Sequence, residues 1–207
     1  MNQIINQEII KQIQPNYNDI PLAIFLLGTN GSGKSSLRNY LNLSNIQTNI
    51  DPDVLNRIYA IRYPHTYQIE SARQALKMYD NALFNSLNIC LESTLSGRGT
   101  IQRIIKAQEM GYFTIAYYIG LNSIELNLER IKIRAASGGH NIAESVVRRR
   151  YYESVNNLIF IKNHFNLLHI LDNSDQYFRL QYSISLHNTV KHCQTPETWA
   201  NKLMQQL

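Results

Sequence analysis

Cysteine is scarce in this chain. Cys90 and Cys193 are the only two in 207 residues, and they lie far apart without metal-ligand spacing. That excludes a disulfide framework and a cysteine-rich zinc site. Cys90 sits in an apolar run and reads as a small core residue. No apolar stretch approaches the length of a membrane span. Met1 to Lys11 lacks the uninterrupted apolar segment of a secretory signal, so a cytoplasmic protein with no membrane partner is expected. Repeats, low-complexity tracts and long linkers are also missing, so one domain is expected, with a core over about 20–175. Charge of one sign is in only small excess: 20 Lys and Arg against 15 Asp and Glu give +5. An anionic phosphorylated ligand accounts for that as well as nucleic acid does.

Glycines are few but concentrated. Gly28, Gly31 and Gly33 fall in Gly28-Thr29-Asn30-Gly31-Ser32-Gly33-Lys34-Ser35, which fits G-x-x-x-x-G-K-[ST] at every fixed position. The apolar run Leu22–Leu27 before it reads as a buried strand. Ser36-Leu37-Arg38-Asn39-Tyr40-Leu41 after it reads as the start of a helix. Strand, loop and helix in that order are the context a P-loop needs. Its glycines turn backbone N–H groups toward phosphate oxygens, and the helix start adds donors and a positive dipole end. Asn30, Ser32 and Ser36 complete the expected nucleotide cradle. Lys34 is expected to reach the β and γ phosphates of ATP, and the Ser35 hydroxyl to sit on Mg²⁺.

Ile4, Ile5, Ile9, Ile10 and Ile13 predict an amphipathic first helix over about 2–13, either core packing or a docking surface. Gln47–Ile50 predicts a short strand ending at Asp51-Pro52-Asp53. Carboxylates there fall outside a strand's carboxyl end, where α/β folds place their chemistry, but either Asp would also serve as a helix cap. Helices are expected over Val54–Arg62 and Gln68–Leu87, the second with Tyr79 and Phe84 as packing residues. Asn88–Leu91 predicts a third strand running into Glu92-Ser93-Thr94-Leu95-Ser96-Gly97, and an acid so placed can hold a metal-bound water or a substrate hydroxyl. A helix over Thr100–Met110, a strand over Tyr112–Gly120 and a helix over Ile124–Ala136, capped by Asn122 or Ser123, come next. Ser137–Asn141 is a break. A helix from Ala143 to about His164, a strand at Leu167–Leu171, a hairpin strand or irregular edge at Tyr177–Leu186 and a closing helix over 196–207 complete the order. The prediction is α/β: a P-loop NTPase/kinase-like three-layer sandwich around a largely parallel sheet.

Arg130, Lys132, Arg134, His140, Arg148, Arg149 and Arg150 cluster between positions 130 and 150, with only Glu144 opposing them. Arg130 and Arg134 share a helix face, and Gly138-Gly139 lets the chain fold back. The segment predicts a helical lid laying cations over a triphosphate. Neighbours on a helix diverge, so at most two of Arg148, Arg149 and Arg150 can reach one site. His140 is either a phosphate contact or a loop residue.

Four pieces in order, spanning Pro21 to about Ser174, resemble the zeta-toxin family of P-loop kinases, in particular its short predicted-ATPase branch. They are the Gly28–Ser36 loop, Ile50-Asp51-Pro52-Asp53, Glu92-Ser93-Thr94-Leu95-Ser96-Gly97, and Leu128-Glu129-Arg130 continuing to Arg134 and Gly138-Gly139-His140, followed by Arg148-Arg149-Arg150-Tyr151. The resemblance implies ATP- and Mg²⁺-dependent phosphorylation of the 3′-hydroxyl of a UDP-N-acetylhexosamine, in a family many of whose members are toxins held by an antitoxin protein. It implies Asp53 as the base, Lys34 and Ser35 on ATP and Mg²⁺, and Glu92 and Thr94 on the substrate with Asp51 beside them. Arg130 matches one of the family's two phosphate-contacting arginines. The second has no direct counterpart: His140 stands near its place by spacing, with Arg134 or Arg148 as substitutes. Another nucleotide or dinucleotide acceptor, or a nucleotide-binding switch within a toxin–antitoxin complex, is the alternative. Nucleic acid is a weaker partner, because the basic patch has no stacking platform.

Overall fold

A computed structural model describes residues 20–138 and 142–207. The expected helix over 2–13 and the expected contact residue His140 lie outside the described residues. Seven strands form one sheet: β1 (Leu22–Leu27), β2 (Thr48–Ile50), β3 (Ile89–Ser93), β4 (Phe113–Gly120), β5 (Leu167–Asp172), β6 (Arg179–Ser185) and β7 (Thr189–Lys191). Their spatial order is β2-β3-β1-β4-β5-β6-β7. The first five are parallel, and β6 and β7 add on antiparallel at one side. The protein is α/β with a mostly parallel sheet, as its sequence predicts.

Strand β1 explains the layering. It lies between β3 and β4, and all six of its residues are buried. A strand covered on both faces reads as an unbroken apolar run. Ala23, Phe25 and Leu27 face one core, and Leu22, Ile24 and Leu26 face the other. The first core is closed by α3 (Tyr67–Phe84), α4 (Arg98–Glu109), α6 (Glu144–Ile161) and α7 (Thr198–Met204), through residues such as Tyr79, Ile104, Leu158 and Leu203. The second core is closed by α1 (Lys34–Tyr40) through Leu37, with Leu41, Phe178 and Leu180. Helices α2 (Pro52–Arg62) and α5 (Ile124–Ala136) start just after the carboxyl ends of β2 and β4, and α2 adds Leu55 to the first core. Leu128 and Ile131 of α5 pack on Val147 of α6, joining the two basic helices through their own small core.

Most elements start within a few residues of their expected positions, and α5 has the expected bounds. Two differences have physical causes, and one open alternative is resolved. Phe84 is 85% exposed, because it falls at the last turn of α3, past the stripe that carries Tyr79, Ala82 and Leu83 into the core. The segment after β5 is a true strand, β6, that pairs with β5 across a register shift at Ile170/Leu171. The three-residue β7 is wholly exposed, so it lacks the half-buried alternation that marks a strand in sequence.

Gly120 ends β4 directly beneath Trp199 of α7. A Cβ there would lie 2.4–2.7 Å from three atoms of the indole ring. The ring is held because its Nε1 donates to Asp172 Oδ1 at 2.8 Å. Gly120→Ala is therefore expected to lower unfolding free energy by about 1–3 kcal/mol, as overpacking does, read as a lower urea midpoint with an unchanged slope.

Candidate active site

The loop between β1 and α1 has the backbone its glycines permit. Gly33, just before α1, has φ +101° and ψ 23°, a conformation that strains any side chain. A Cβ on Gly33 would also sit 2.2 Å from Asn173 Nδ2. That amide donates to Ser32 O at 2.8 Å, so the segment after β5 clamps the loop. Lys34 is buried, and its ammonium donates to Thr29 O at 3.1 Å, across the loop. Burial lowers its pKa, an effect opposed by the nearby carboxylates of Glu92, Asp53 and Asp51.

Because β3 pairs with β1, Glu92 comes beside the start of α1: Leu26 and Glu92 are register partners. Ser35 Oγ donates to Glu92 at 2.9 Å to one carboxylate oxygen and 3.2 Å to the other. Glu92 is buried, and burial raises its pKa while Lys34 and Arg38 hold it down. Ile89-Cys90-Leu91-Glu92 is thus an apolar strand ending in an acid next to the phosphate-loop strand, the place where P-loop proteins put the acid on the metal side. A hydroxyl and one carboxylate suit Mg²⁺, a hard cation that keeps waters and shares phosphate oxygens. Among the described residues no group of three or more His, Cys, Asp or Glu forms a closed metal cage.

Arg38 of α1 ties the acids together. It contacts Asp51 at 3.1 Å and Glu92 at 3.4 Å, and its side chain is largely buried. Asp51 uses its other oxygen to cap α2, accepting from Asp53 N at 2.9 Å and Val54 N at 3.3 Å. Both Asp51 oxygens are therefore engaged. Asp53, inside the first turn of α2, meets only Arg134 Nη1, at 3.4 Å, among the described residues. The geometry separates the two aspartates: Asp51 caps and pairs, and Asp53 presents an exposed carboxylate.

One cavity of about 1080 Å³ joins these groups. Its walls include Asn30, Gly31, Gly33, Lys34, Ser35, Ser36, Asp51, Asp53, Glu92, Thr94, Arg130 and Arg134. Gly28 and Ser32, the remaining expected loop positions, shape the turn behind it; Ser32 is buried. Thr94 Oγ1 pairs with Ser96 Oγ at 2.8 Å. Arg130 donates to the carbonyls of Ser174 and Asp175 at 3.3 and 3.4 Å. Arg148 is placed elsewhere. It pairs with Glu144 and Glu125 on the outer side, and Arg149 pairs with Glu153. Arg150 is the member of the run that lines the cavity, together with Val146 one turn earlier on the same face. Its Nη1 donates to Asn30 Oδ1 at 2.9 Å, and Asn127 Nδ2 of α5 donates to Asn30 O at 2.8 Å. Asn30 thus fastens the phosphate loop to both basic helices. The run of arginines was visible in sequence, but the helical phase that selects Arg150 depends on where α6 packs. Nor did the sequence reading find Arg38, Asn173, or the edge-to-face pair Tyr40–Phe178 at 6.1 Å on the cavity wall.

The Zeta toxin family model matches residues 6–189. An uncharacterised protein of Haemophilus influenzae is 43% identical over 129 residues, covering 62% of this chain and 91% of that protein. A chain from the PezAT chromosomal toxin–antitoxin system of Streptococcus pneumoniae superposes with a TM-score of 0.62 at 16% identity, over 99% of this chain and 90% of that one. A chain of the AvrRxo1-ORF1:AvrRxo1-ORF2 complex with sulphate ions gives 0.67 at 14% identity, over 97% and 70%. At such identities the two structures speak for the shared fold.

The loop geometry makes a direct prediction. Gly33→Ala must leave the left-handed region or carry strain of roughly 1–3 kcal/mol, while colliding with the Asn173 clamp. Affinity for a Mg²⁺-bound ATP analogue should fall about tenfold or more, measured by calorimetry.

Proposed function

The chain belongs to the zeta-toxin family of P-loop kinases, and from that premise we propose that it transfers the γ-phosphoryl group of ATP to the 3′-hydroxyl of a UDP-N-acetylhexosamine. The observation that carries the proposal is the shared cavity. A phosphate loop with Lys34 and Ser35 opens onto the same space as the exposed carboxylate of Asp53. A nucleotide-binding switch has little use for such a carboxylate.

In this account Lys34 and the loop amides hold the β and γ phosphates. Ser35 and Glu92 would hold Mg²⁺, which when bound would neutralise charge on those phosphates. Asp53 orients the acceptor hydroxyl and takes its proton as the oxygen attacks phosphorus. Arg134 and Arg150 are the cations that meet the migrating phosphoryl group. Both already stand at the cavity wall, Arg134 on Asp53 and Arg150 on Asn30. Arg130 lies nearer the segment after β5, toward the nucleotide's base. Thr94 and the hydroxyls beside it line the acceptor side. Little covalent work falls to the protein, so rate comes from positioning and charge. The segment around 130–150 acts as a lid over the phosphates. A PezAT-like assembly, in which an antitoxin chain covers the kinase, is part of the same proposal.

The test is a panel of UDP-sugars and free nucleotides incubated with Mg·ATP and read by mass spectrometry for a gain of one phosphate. The expected result is one phosphate on the N-acetylhexosamine ring of a UDP-sugar. Phosphorylation of a nucleotide or dinucleotide alone would overturn the sugar assignment. Three variants report on the cations: Lys34→Ala should lose transfer altogether, Arg150→Ala should slow it by about 10³-fold, and Arg148→Ala, whose side chain pairs outward, should leave it near normal.

A further inference from the structure

The cavity holds one cation that the phosphoryl-transfer account does not use. Arg103, on α4, lines it beside Ser71, Ala72, Ala75, Ser93 and Thr94. The other cavity cations have acceptors in the protein. Lys34 has the Thr29 carbonyl, Arg130 the carbonyls after β5, Arg134 has Asp53, and Arg150 has Asn30. No hydrogen-bond acceptor or carboxylate among the described residues meets the Arg103 guanidinium, and its Nε is buried without a partner. Its contact is the ring of Tyr79, with the guanidinium carbon 6.0 Å from the centroid. The Tyr79 hydroxyl donates instead to the Arg103 main-chain carbonyl, at 2.6 Å, so it fixes the helix and leaves the charged end available.

The placement says which ligand that charge faces. Strand order is β2-β3-β1-β4-β5, so the cavity runs across roughly four strand spacings of about 4.8 Å each. Asp53 follows β2, and Arg103 is on the helix after β3. Asn173, Asp175 and Phe178 follow β5, at the opposite end. The phosphate loop after β1 lies between. A nucleotide seated on the loop with its base toward β5 does not extend to Arg103. An acceptor with its hydroxyl at Asp53 does. The buried Nε without an acceptor is costly, and the arginine fork, open toward the cavity, matches the paired oxygens of a phosphate.

We propose that Arg103 anchors a phosphate-type anionic group of the acceptor substrate, at a distance from the hydroxyl that reacts. The proposal rests on the kinase reading of the cavity and deepens it: the acceptor is a phosphate ester or diphosphate, and a neutral sugar is a poor substrate. Ala72 and Ala75 give the connecting part of the acceptor an apolar wall, and Ser93 and Thr94 give it hydroxyls.

The test needs no turnover, so it fails independently of the sugar assignment. The full chain is saturated with a non-hydrolysable ATP analogue and excess Mg²⁺, then titrated with inorganic pyrophosphate by calorimetry. One additional pyrophosphate site is expected. Arg103→Met, which keeps an unbranched side chain without the charge, should weaken it about tenfold or more, and Arg103→Lys should fall between. Affinity for the ATP analogue and the melting temperature should not move. Absence of a second site, or a Met variant that binds pyrophosphate as the parent does, would overturn the proposal. So would equal losses in the Met and Lys variants together with a lowered melting temperature, since that marks a structural arginine. If no UDP-sugar is phosphorylated but the Arg103-dependent site is present, the anchor stands and the acceptor is another phosphorylated metabolite.

Discussion

A buried carboxylate sits under the phosphate loop, and much of the site depends on it. Glu92 is in contact with the Ser35 hydroxyl and with Arg38, close to a buried Lys34. Burial works against both charges, raising the pKa of Glu92 and lowering that of Lys34, and each is the other's leading compensation. Such an arrangement survives only where every member has a partner. Parallel pairing of β3 with β1 brings the acid to the loop. Arg38, one turn into α1, reaches back to Glu92 and across to Asp51. Asp51 in turn starts α2 and thereby sets Asp53 at the cavity. A metal and a triphosphate would supply the counter-charges that the protein alone arranges sparingly.

Local signals in the sequence identified what local physics decides. The β1 run, the glycine loop and the cap of α5, which falls to Ser123 of the two candidates Asn122 and Ser123, depend on residues close in the chain, and each is found where expected. The choice between cap and chemistry at Asp51 and Asp53 was open in sequence because both readings use the same residue types. It is the long-range partner Arg38 that engages Asp51 and leaves Asp53 exposed. Arg150 could not be told from Arg148, since the three arginines differ only in helical phase, and that phase is set by Val147 packing on Leu128 and Ile131. Arg103 carried no signal at all: one of several basic residues on an amphipathic helix looks solvated until Tyr79 and the cavity are placed around it.

In the proposed reaction the cations divide the cavity by role. Arg134 and Arg150 flank the phosphate loop from two helices that share a small core, so they are positioned together. Asn30, held by both helices, makes the loop sensitive to where that pair sits. Arg103 stands apart from them on α4. Such a division would let one fold keep its phosphate chemistry fixed while the acceptor end varies, because the two are carried on different elements.

The proposed reaction turns on Asp53 acting on an acceptor rather than on a nucleotide being merely bound. Acceptor-dependent release of ADP from Mg·ATP, compared between the parent chain and Asp53→Asn, tests that most directly. The predicted result is release that requires the acceptor and falls by about 10²–10⁴-fold in the variant, with ATP affinity unchanged. Release at the same rate with and without acceptor, or an Asp53→Asn variant that keeps near-parental transfer, would contradict it.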